Sequence, residues 1–357
     1  MTRYTLDKAV RIGFACNAET YDRMMDDGAM AAFTALGSFE HHLCDEPSAW
    51  ETAPPENPAA IDALVKFASN LDALLVCHGS PRLTGAILDR LPNLKLIAEV
   101  EGDRFSQRID VDAAAERGVT VVDTTNGSSY PVSEWALAMA MIGLRNAGAL
   151  YRRLIAGEVL FQSGAERVAD FSWNGELTGK KVGLIGCGYI GRRLLELLAP
   201  FHCDIYAHDP YAPRVLADIY DITLTSLDEV MGCDVVISLV PLTPETQKMI
   251  TARELDLLRP GAVFVNVSRG AIVDQAALIK RLERNDIVAS LDVFDPEPLE
   301  ADSPLRNMSN VFLTPHIAGV TAPCGPRFLT LAADEIERKF AGHRTRHDLV
   351  PRASVKK

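Results

Sequence analysis

The feature that most constrains the fold is a glycine-rich segment that directly follows a short apolar run. Residues 182–185 are apolar, as in a buried parallel strand, and Gly186, Gly188 and Gly191 follow at G-x-G-x-x-G spacing. A helix with a leucine-rich buried side is predicted over residues 192–198. Gly186 allows a tight turn, Gly188 lets a pyrophosphate approach bare backbone, and Gly191 lets the helix pack close to the strand. The helix N-terminus offers unpaired N–H groups to the phosphates, so the segment predicts a dinucleotide-binding unit.

An acidic residue stands where this kind of unit needs one. A second apolar run, residues 203–207, leads to Asp209, which lies 18 residues beyond Gly191. A carboxylate at this place is expected to bind the adenosine ribose diol and to repel a 2′-phosphate, which favours NAD over NADP. The alternative is a tight turn with an acid that caps a helix and binds no ligand.

Composition and charge exclude several other classes of protein. The chain has 357 residues, a net charge of −12 and no apolar run near the roughly 20 residues that span a bilayer. An acidic chain of this kind disfavours nucleic acid or an anionic membrane as partner. The seven cysteines are odd in number and never form Cys-x-x-Cys, and the first residues lack the apolar stretch of a secretory signal. We therefore expect a cytoplasmic protein with reduced cysteines and no metal site.

Strands and helices alternate on both sides of the glycine segment. Before it, strands are predicted at residues 10–16, 41–44, 71–76, 94–98 and 119–122, and helices at residues 20–36, 61–68, 111–117 and 133–144, the last capped by Ser133 or by the preceding turn. After it, strands are predicted at residues 235–240, 262–267, 288–291 and 311–313, and helices at residues 251–258, 274–284 and 326–340. Residues 151–178 are predicted to be irregular, either as a subunit contact or as a loop packed on its own domain. The pattern predicts an α/β fold with two doubly wound parallel-sheet domains.

Three ionisable residues of the second domain follow predicted strands and could meet at one edge of its sheet. Arg269 could bind a substrate carboxylate, His316 could deliver a proton to a carbonyl oxygen, and Glu297 could hold the histidine ring. Such a set suits hydride transfer to a 2-oxo acid. Each residue also has a structural alternative: Arg269 could bind strand-end carbonyls, Glu297 could lie in a solvated turn, and His316 could be a hydrogen-bonded structural histidine.

Five motifs follow one another between residues 186 and 319. They are Gly186-Cys-Gly-Tyr-Ile-Gly191, Leu239-Val-Pro-Leu-Thr-Pro-Glu-Thr246, Val267-Ser-Arg-Gly-Ala-Ile-Val-Asp274, Leu291-Asp-Val-Phe-Asp-Pro-Glu-Pro298 and Thr314-Pro-His-Ile-Ala-Gly319. In order and spacing they resemble the D-isomer-specific 2-hydroxyacid dehydrogenase family, and the resemblance extends more weakly to the first domain.

The resemblance implies an arrangement of domains and a set of site residues. It implies a Rossmann NAD-binding domain, residues 126–320, inserted in a flavodoxin-like substrate domain made of residues 1–125 and a return helix in residues 321–357. It implies Arg269, Glu297 and His316 as catalytic residues, Asp292 as the partner of the nicotinamide carboxamide, and a homodimer built on the helix from Ser133 and the segment after it. The implied cofactor-binding set is Gly186, Gly188, Tyr189, Ile190, Gly191, Asp209, Val240, Pro241, Thr246, Val267, Ser268, Arg269, Asp292, His316 and Gly319.

The loop at residues 99–108 departs from the family pattern. Family members usually have a glycine-rich loop here that holds the substrate carboxylate, whereas this loop has one glycine and three acids. The acids could bind hydroxyls of a larger, polyhydroxylated acid, Arg104 and Arg108 could bind a phosphate, or all the charges could face solvent. The expected substrate contacts are His78, Gly79, Glu101, Gly102, Asp103 and Arg269.

These observations predict an NAD(H)-dependent oxidoreductase that interconverts a D-2-hydroxy acid and its 2-oxo acid. A phosphoglycerate-type or a glyoxylate/hydroxypyruvate-type specificity, possibly with NADP, is an alternative within the family. A non-catalytic, NAD-sensing corepressor-like protein is an alternative of another class. The expected partners are a small-molecule acid and a second copy of the chain.

Overall fold

The chain folds into two compact units in a computed structural model that describes residues 4–47, 53–101, 108–160 and 175–349. The first unit combines Met1–Ser128 with Thr321–Lys357, and the second is the continuous segment Ser129–Val320. None of the helices within the described ranges is both long and apolar enough to cross a bilayer.

Thirteen strands and thirteen α-helices are found in the described ranges. The strands are β1 Val10–Cys16, β2 Gly37–Leu43, β3 Ala73–Val76, β4 Leu96–Glu99, β5 Thr120–Asp123, β6 Lys181–Ile185, β7 Asp204–His208, β8 Thr223–Leu224, β9 Val235–Ser238, β10 Val263–Asn266, β11 Val288–Leu291, β12 Val311–Leu313 and β13 Asp348–Leu349. The helices are α1 Ala18–Met24, α2 Asp27–Thr34, α3 Pro58–Ala68, α4 Gly85–Leu88, α5 Val111–Glu116, α6 Ser129–Leu144, α7 Ala147–Ile155, α8 Tyr189–Leu198, α9 Val215–Tyr220, α10 Leu227–Met231, α11 Ala252–Leu255, α12 Gln275–Leu282 and α13 Cys324–Phe340.

The first unit is a six-stranded sheet in the order β13-β5-β4-β3-β1-β2. Strands β1 to β5 run parallel, and the edge strand β13 pairs antiparallel with β5. Helices α1, α2 and α13 pack their apolar side chains on one face, and α3, α4 and α5 cover the other. Among the first five strands the order 2-1-3-4-5 is that of a flavodoxin-like sheet.

The second unit is a seven-stranded parallel sheet in the order β12-β11-β10-β9-β6-β7-β8. Helices α6, α8 and α9 contribute to the core on one face, and α10, α11 and α12 to the core on the other. The strand order reverses at β6, between β7 and β9, as in a Rossmann fold, and ligands of such sheets bind at this point. The predicted fold class is confirmed.

Two helix predictions are wrong in detail. The helix expected over residues 20–36 is two helices, because Met25 is extended and the Asp26 side chain accepts a hydrogen bond from the N–H of Ala29, which starts α2. Helix α6 begins at Ser129, so Ser133 is not its cap; the Ser133 hydroxyl donates to the carbonyl of Tyr130 instead.

The prediction of irregular structure from residue 151 onward is also wrong for its first part, which belongs to α7. The Arg152 side chain on this helix donates to the carbonyls of Met308 and Val311, at 2.6 and 3.2 Å, and so ties α7 to β12. Residues 161–174 lie outside the described ranges. Helices α9 and α10 and strand β8 were not predicted because they are short.

Candidate active site

The glycine segment of the second unit has the geometry that its sequence predicts. Gly186 has φ +97°, a conformation that other residues rarely adopt. A methyl group at Gly191 would lie 2.8 Å from the Gly186 carbonyl oxygen, so the start of α8 packs closely on the turn. The space beside Gly188 is open within 4 Å, and α8 begins at the next residue, Tyr189, which with Ile190 lies in its first turn.

Asp209 follows β7 directly and is bound to the glycine segment. Its Oδ2 accepts a hydrogen bond from the N–H of Cys187 at 2.8 Å, and its Oδ1 accepts one from the N–H of Tyr211 at 2.9 Å. A carboxylate can accept about four hydrogen bonds, so acceptor capacity remains for the two hydroxyls of a ribose.

The loop after β9 packs against the same turn. Val240 lies beside Gly186, and the Thr246 hydroxyl donates to the carbonyl of Pro241 at 2.6 Å while accepting from the N–H of Thr243 at 2.8 Å. Thr246 therefore folds this loop back on itself at the edge where the glycine segment lies.

Arg269 is positioned by a buried amide that the sequence analysis missed. Asn266, the last residue of β10, accepts hydrogen bonds from the N–H and the hydroxyl of Ser268, at 3.1 and 2.7 Å, and donates to the carbonyl of Arg269 at 3.1 Å. The Ser268 hydroxyl also contacts that of Ser238 at 2.9 Å. This network shapes the turn from Val267 to Arg269, and the polar residue that ends an apolar strand was the signal that could have revealed it.

The turn that carries Arg269 lies against the loop that carries Glu297. A side chain at Gly270 would overlap the backbone of Phe294 and Asp295, so the two loops approach at backbone distance. The three strands that precede these loops and the His316 loop, β10, β11 and β12, are neighbours in the sheet, and their carboxyl ends lie at one edge.

Glu297 and His316 are in direct contact. The distance between Glu297 Oε1 and His316 Nδ1 is 2.5 Å, and Glu297 Oε2 accepts from the N–H of Phe294 at 3.4 Å. Burial raises the pKa of Glu297, but the hydrogen bond to His316, the charge of His316 and the N–H of Phe294, with a smaller effect of the Arg269 charge, outweigh it and lower the pKa below its usual value. His316 itself has φ +54°, an unusual conformation for a residue with a side chain.

Asp292 is fully buried and connects the loop that carries Glu297 to the loop that carries His316. Its carboxylate accepts hydrogen bonds from the Thr314 hydroxyl at 2.5 Å and from the N–H groups of Ile317 and Ala318 at 2.9 Å each. Three of about four acceptor positions are used, so one remains for a donor such as a carboxamide. Gly319 comes directly after this clamped segment.

The first unit places three of its predicted site residues at the carboxyl ends of β3 and β4. Glu101 Oε2 lies 3.2 Å from His78 Nε2 and 3.0 Å from Arg23 Nη2, and Gly79 has φ +88°. Burial raises the pKa of Glu101, but the hydrogen bonds from His78 and Arg23 lower it to about 2. Gly102 and Asp103, like Arg104, lie outside the described residues.

Arg108, one of the two arginines that could bind a phosphate, is buried and paired within the first unit. It is 2% exposed, and its Nη1 lies 2.6 Å from Oε1 of the fully buried Glu99. Glu99, too, faces away from solvent because it is the last residue of β4, a central strand.

One group of potential metal ligands occurs within the described residues, although no metal site was predicted. It consists of Cys77, His78 and Glu101, whose ligand atoms lie within 4.8 Å of one another. The carboxylate of this group is already bound by the Arg23 guanidinium, and a cation there would be repelled by that charge.

Comparison with known proteins identifies the family. Residues 137–318 match the family model described as D-isomer specific 2-hydroxyacid dehydrogenase, NAD binding domain. The chain belongs to the D-isomer specific 2-hydroxyacid dehydrogenase family. The resemblance stated from the five motifs is thereby confirmed.

Curated members of the 2-hydroxyacid dehydrogenase family share about a third of their residues with this chain. It is 34% identical to the mitochondrial formate dehydrogenase of Solanum tuberosum over 336 residues, which are 93% of this chain and 86% of that protein. It is 33% identical to the D-3-phosphoglycerate dehydrogenase of Mycobacterium tuberculosis over 283 residues, 79% of this chain. The matched segment spans about half of the latter relative, 51% of its length.

A solved structure shares the 2-hydroxyacid dehydrogenase fold. The phosphoglycerate oxidoreductase from Rhizobium etli superposes with a TM-score of 0.76 at 23% identity, and the match covers 95% of this chain and 98% of that one. At this identity the likeness concerns the fold alone.

Proposed function

We propose that this member of the family is an NAD(H)-dependent oxidoreductase that interconverts a D-2-hydroxy acid and its 2-oxo acid. The observation that carries the proposal is the 2.5 Å contact between Glu297 and His316, beside the turn that carries Arg269. The contact lies in the unit that also carries the glycine segment and Asp209. His316 would be the proton donor, Glu297 would orient its ring, and Arg269 would bind the substrate carboxylate.

The residues fit a dinucleotide. The open space beside Gly188 suits a pyrophosphate, and α8 begins at the next residue, so the positive end of the helix dipole lies close by. Asp209 would accept hydrogen bonds from the ribose hydroxyls, and its charge favours NAD over NADP. The loop with Val240, Pro241 and Thr246 and the spare acceptor position of Asp292 would complete the contacts. When bound, the nicotinamide supplies or accepts the hydride.

Side chains of the protein would stabilise the negative charge on the substrate oxygen and transfer the proton to it. During reduction the substrate oxygen gains negative charge, which the Arg269 guanidinium stabilises while it holds the substrate carboxylate. The His316 imidazolium gives a proton to that oxygen, and Glu297, bound to Nδ1, keeps the ring oriented and stabilises its charged form. In the oxidation direction His316 takes the proton from the hydroxyl.

The ionised carboxylate of Glu101 favours a substrate whose hydroxyl groups can donate hydrogen bonds to it. With a pKa of about 2 it is ionised at neutral pH, so it would repel a second substrate carboxylate and accept a hydrogen bond from a hydroxyl. We therefore propose His78, Gly79 and Glu101 as substrate contacts, with Gly102 and Asp103 remaining predictions, and a 2-oxo acid with further hydroxyl groups as the favoured class.

A substrate panel tests the proposal. NADH oxidation is followed with glyoxylate, hydroxypyruvate, 3-phosphohydroxypyruvate and longer hydroxylated 2-oxo acids, and NAD reduction with formate, whose dehydrogenases are among the relatives. We expect turnover of a hydroxylated 2-oxo acid that falls about 1,000-fold in His316→Gln and Arg269→Ala, the size typical of lost acid–base or oxyanion-stabilising groups. An inactive chain that binds NADH normally would contradict the enzymatic function, and glyoxylate as the best substrate would contradict the role of Glu101.

A further inference from the structure

The Thr314 hydroxyl binds the Asp292 carboxylate and has no role in the proposed function. Thr314 follows β12 and is nearly buried, and its hydroxyl lies between two polar groups. Trp135 Nε1, on helix α6, lies 3.4 Å from Thr314 Oγ1, and Asp292 Oδ1 lies 2.5 Å from the same atom. Hydrogen bonds thus connect the partly buried Trp135 of α6, through Thr314, to Asp292 at the carboxyl end of β11.

The chemistry of these groups fixes the direction of both hydrogen bonds. An indole nitrogen can only donate, so Thr314 Oγ1 must accept the bond from Trp135. The Thr314 proton is then free to point to Asp292, whose carboxylate can only accept. The bond from Thr314 to Asp292 is therefore a charge-assisted hydrogen bond with a single possible orientation.

The position of Asp292 decides the position of His316. Besides the Thr314 hydroxyl, the Asp292 carboxylate accepts from the N–H groups of Ile317 and Ala318, and its carbonyl accepts from the N–H of His316 at 2.8 Å. These bonds hold the segment in which His316 adopts φ +54°, which costs conformational energy unless the surroundings impose it.

We propose that Thr314 is a positioning residue for the acid–base catalyst: its hydroxyl fixes the Asp292 carboxylate, which in turn holds the His316 segment against Glu297. Thr314 needs no contact with substrate or cofactor for this role. The inference rests on the proposed function for the meaning of His316, but the geometry that it describes exists whatever the substrate is.

Two substitutions at Thr314 and one matched control test this role. Thr314→Val keeps the shape and removes the hydroxyl, and Thr314→Ser restores the hydroxyl. The control is Ser290→Ala, because the buried Ser290 hydroxyl also ties the sheet to α6, by donating to the carbonyl of Met139 at 3.1 Å, without contacting Asp292. Steady-state rates, NADH binding and the ¹H–¹⁵N imidazole signals of His316 are measured for each variant.

We expect Thr314→Val to lower kcat by about 10- to 100-fold, as the loss of one buried charge-assisted hydrogen bond would, with a smaller rise in the NADH dissociation constant because Asp292 is also the proposed partner of the carboxamide. The His316 signals should shift in this variant. Thr314→Ser and Ser290→Ala should stay within about threefold of the wild-type kcat and keep its His316 signals. If Thr314→Val does not fold, Thr314→Ala takes its place with the same expectation.

Two results would overturn the inference. One is wild-type kcat and unshifted His316 signals in Thr314→Val, and the other is an equal loss in Ser290→Ala, which would reveal a general effect of loosening α6. If the wild-type protein reduces no acid, the proposed function fails, yet the His316 signals still decide whether Thr314 positions the segment.

Discussion

The lowered pKa of Glu101 makes the stability of the first unit depend on pH. Burial raises the pKa of its side chain, but the hydrogen bonds from His78 and Arg23 hold it at about 2, below the 4.5 of a free glutamate. A carboxylate with a lowered pKa stabilises the folded state fully above about pH 4.5, and the contribution is lost as the pH falls toward about 2.

Glu101→Gln should therefore lower the free energy of unfolding by about 2 kcal/mol at pH 7, as expected for lost hydrogen bonds to a charged group. The difference from the wild type should shrink between about pH 4.5 and 2. Urea unfolding at several pH values measures it, with the exposed Glu40→Gln as control. A difference that is constant with pH would contradict the ion-pair account.

Asp209 is the residue expected to decide between the two nucleotides. Asp209→Asn keeps an acceptor for the N–H of Cys187 and removes the charge, so it should lower kcat/KM with NADH by about tenfold and raise the NADPH-to-NADH ratio. Asp209→Ala should shift the ratio in the same direction and also lower the melting temperature. A wild-type protein that prefers NADPH would rule out this role.

At the scale of the elements, we propose that the close contact between the Gly270 turn and the Glu297 loop controls the proposed active site. Because a side chain at Gly270 would overlap the Phe294 backbone, Gly270→Ala should push the Arg269 turn away from the Glu297 loop. We expect a loss of kcat/KM of about 100-fold or more, since displacements near 1 Å at a reaction centre have effects of that size.

Gly232→Ala is the matched control for this substitution. Its φ is negative, and an added methyl group would meet its nearest neighbour at an ordinary 3.4 Å. It should keep nearly wild-type kcat/KM. Equal rates in Gly270→Ala and the wild type would show that the close approach does not control the site.

The sequence predicted the buried elements well and the exposed ones poorly. Strands β11 and β12 begin and end where they were predicted, because each is a short apolar run between polar residues. Helix α9 was missed because it has only six residues and because its apolar Val215 and Ile219 are exposed, which hides the periodicity of its buried Leu216.

The sequence could predict only those site residues that follow neighbouring strands of one sheet. Glu297 and His316 were expected to converge because each follows a strand, and β11 and β12 are adjacent. Trp135 and Thr314 were missed because 179 residues separate them, and a single sequence carries no sign of such a pair. The same holds for Arg23 and Glu101, which lie 78 residues apart.

At the scale of the whole molecule, we propose that the apolar surface of α7 joins two copies of the chain. Leu154 and Ile155 are 61% and 66% exposed, and Tyr151 and Val159 add to the same stretch. Leu154→Glu combined with Ile155→Glu should convert a dimer into a monomer in sedimentation velocity, because charges in an apolar interface lose their hydration. Ile219→Glu, at a comparably exposed position on α9, should leave the dimer intact.

The discontinuous first unit has a consequence for synthesis on the ribosome. Phe328, Leu329 and Ile336 of α13 cover part of one face of its sheet, and β13 completes the edge, and both elements are synthesised after Ser129–Val320. We therefore expect the nascent chain to expose an apolar face of this sheet during the translation of Ser129–Val320, which holds every strand of its own sheet and can fold first. The unit that starts first would then be completed after the unit inserted in it, which differs from the usual order of domain folding during synthesis.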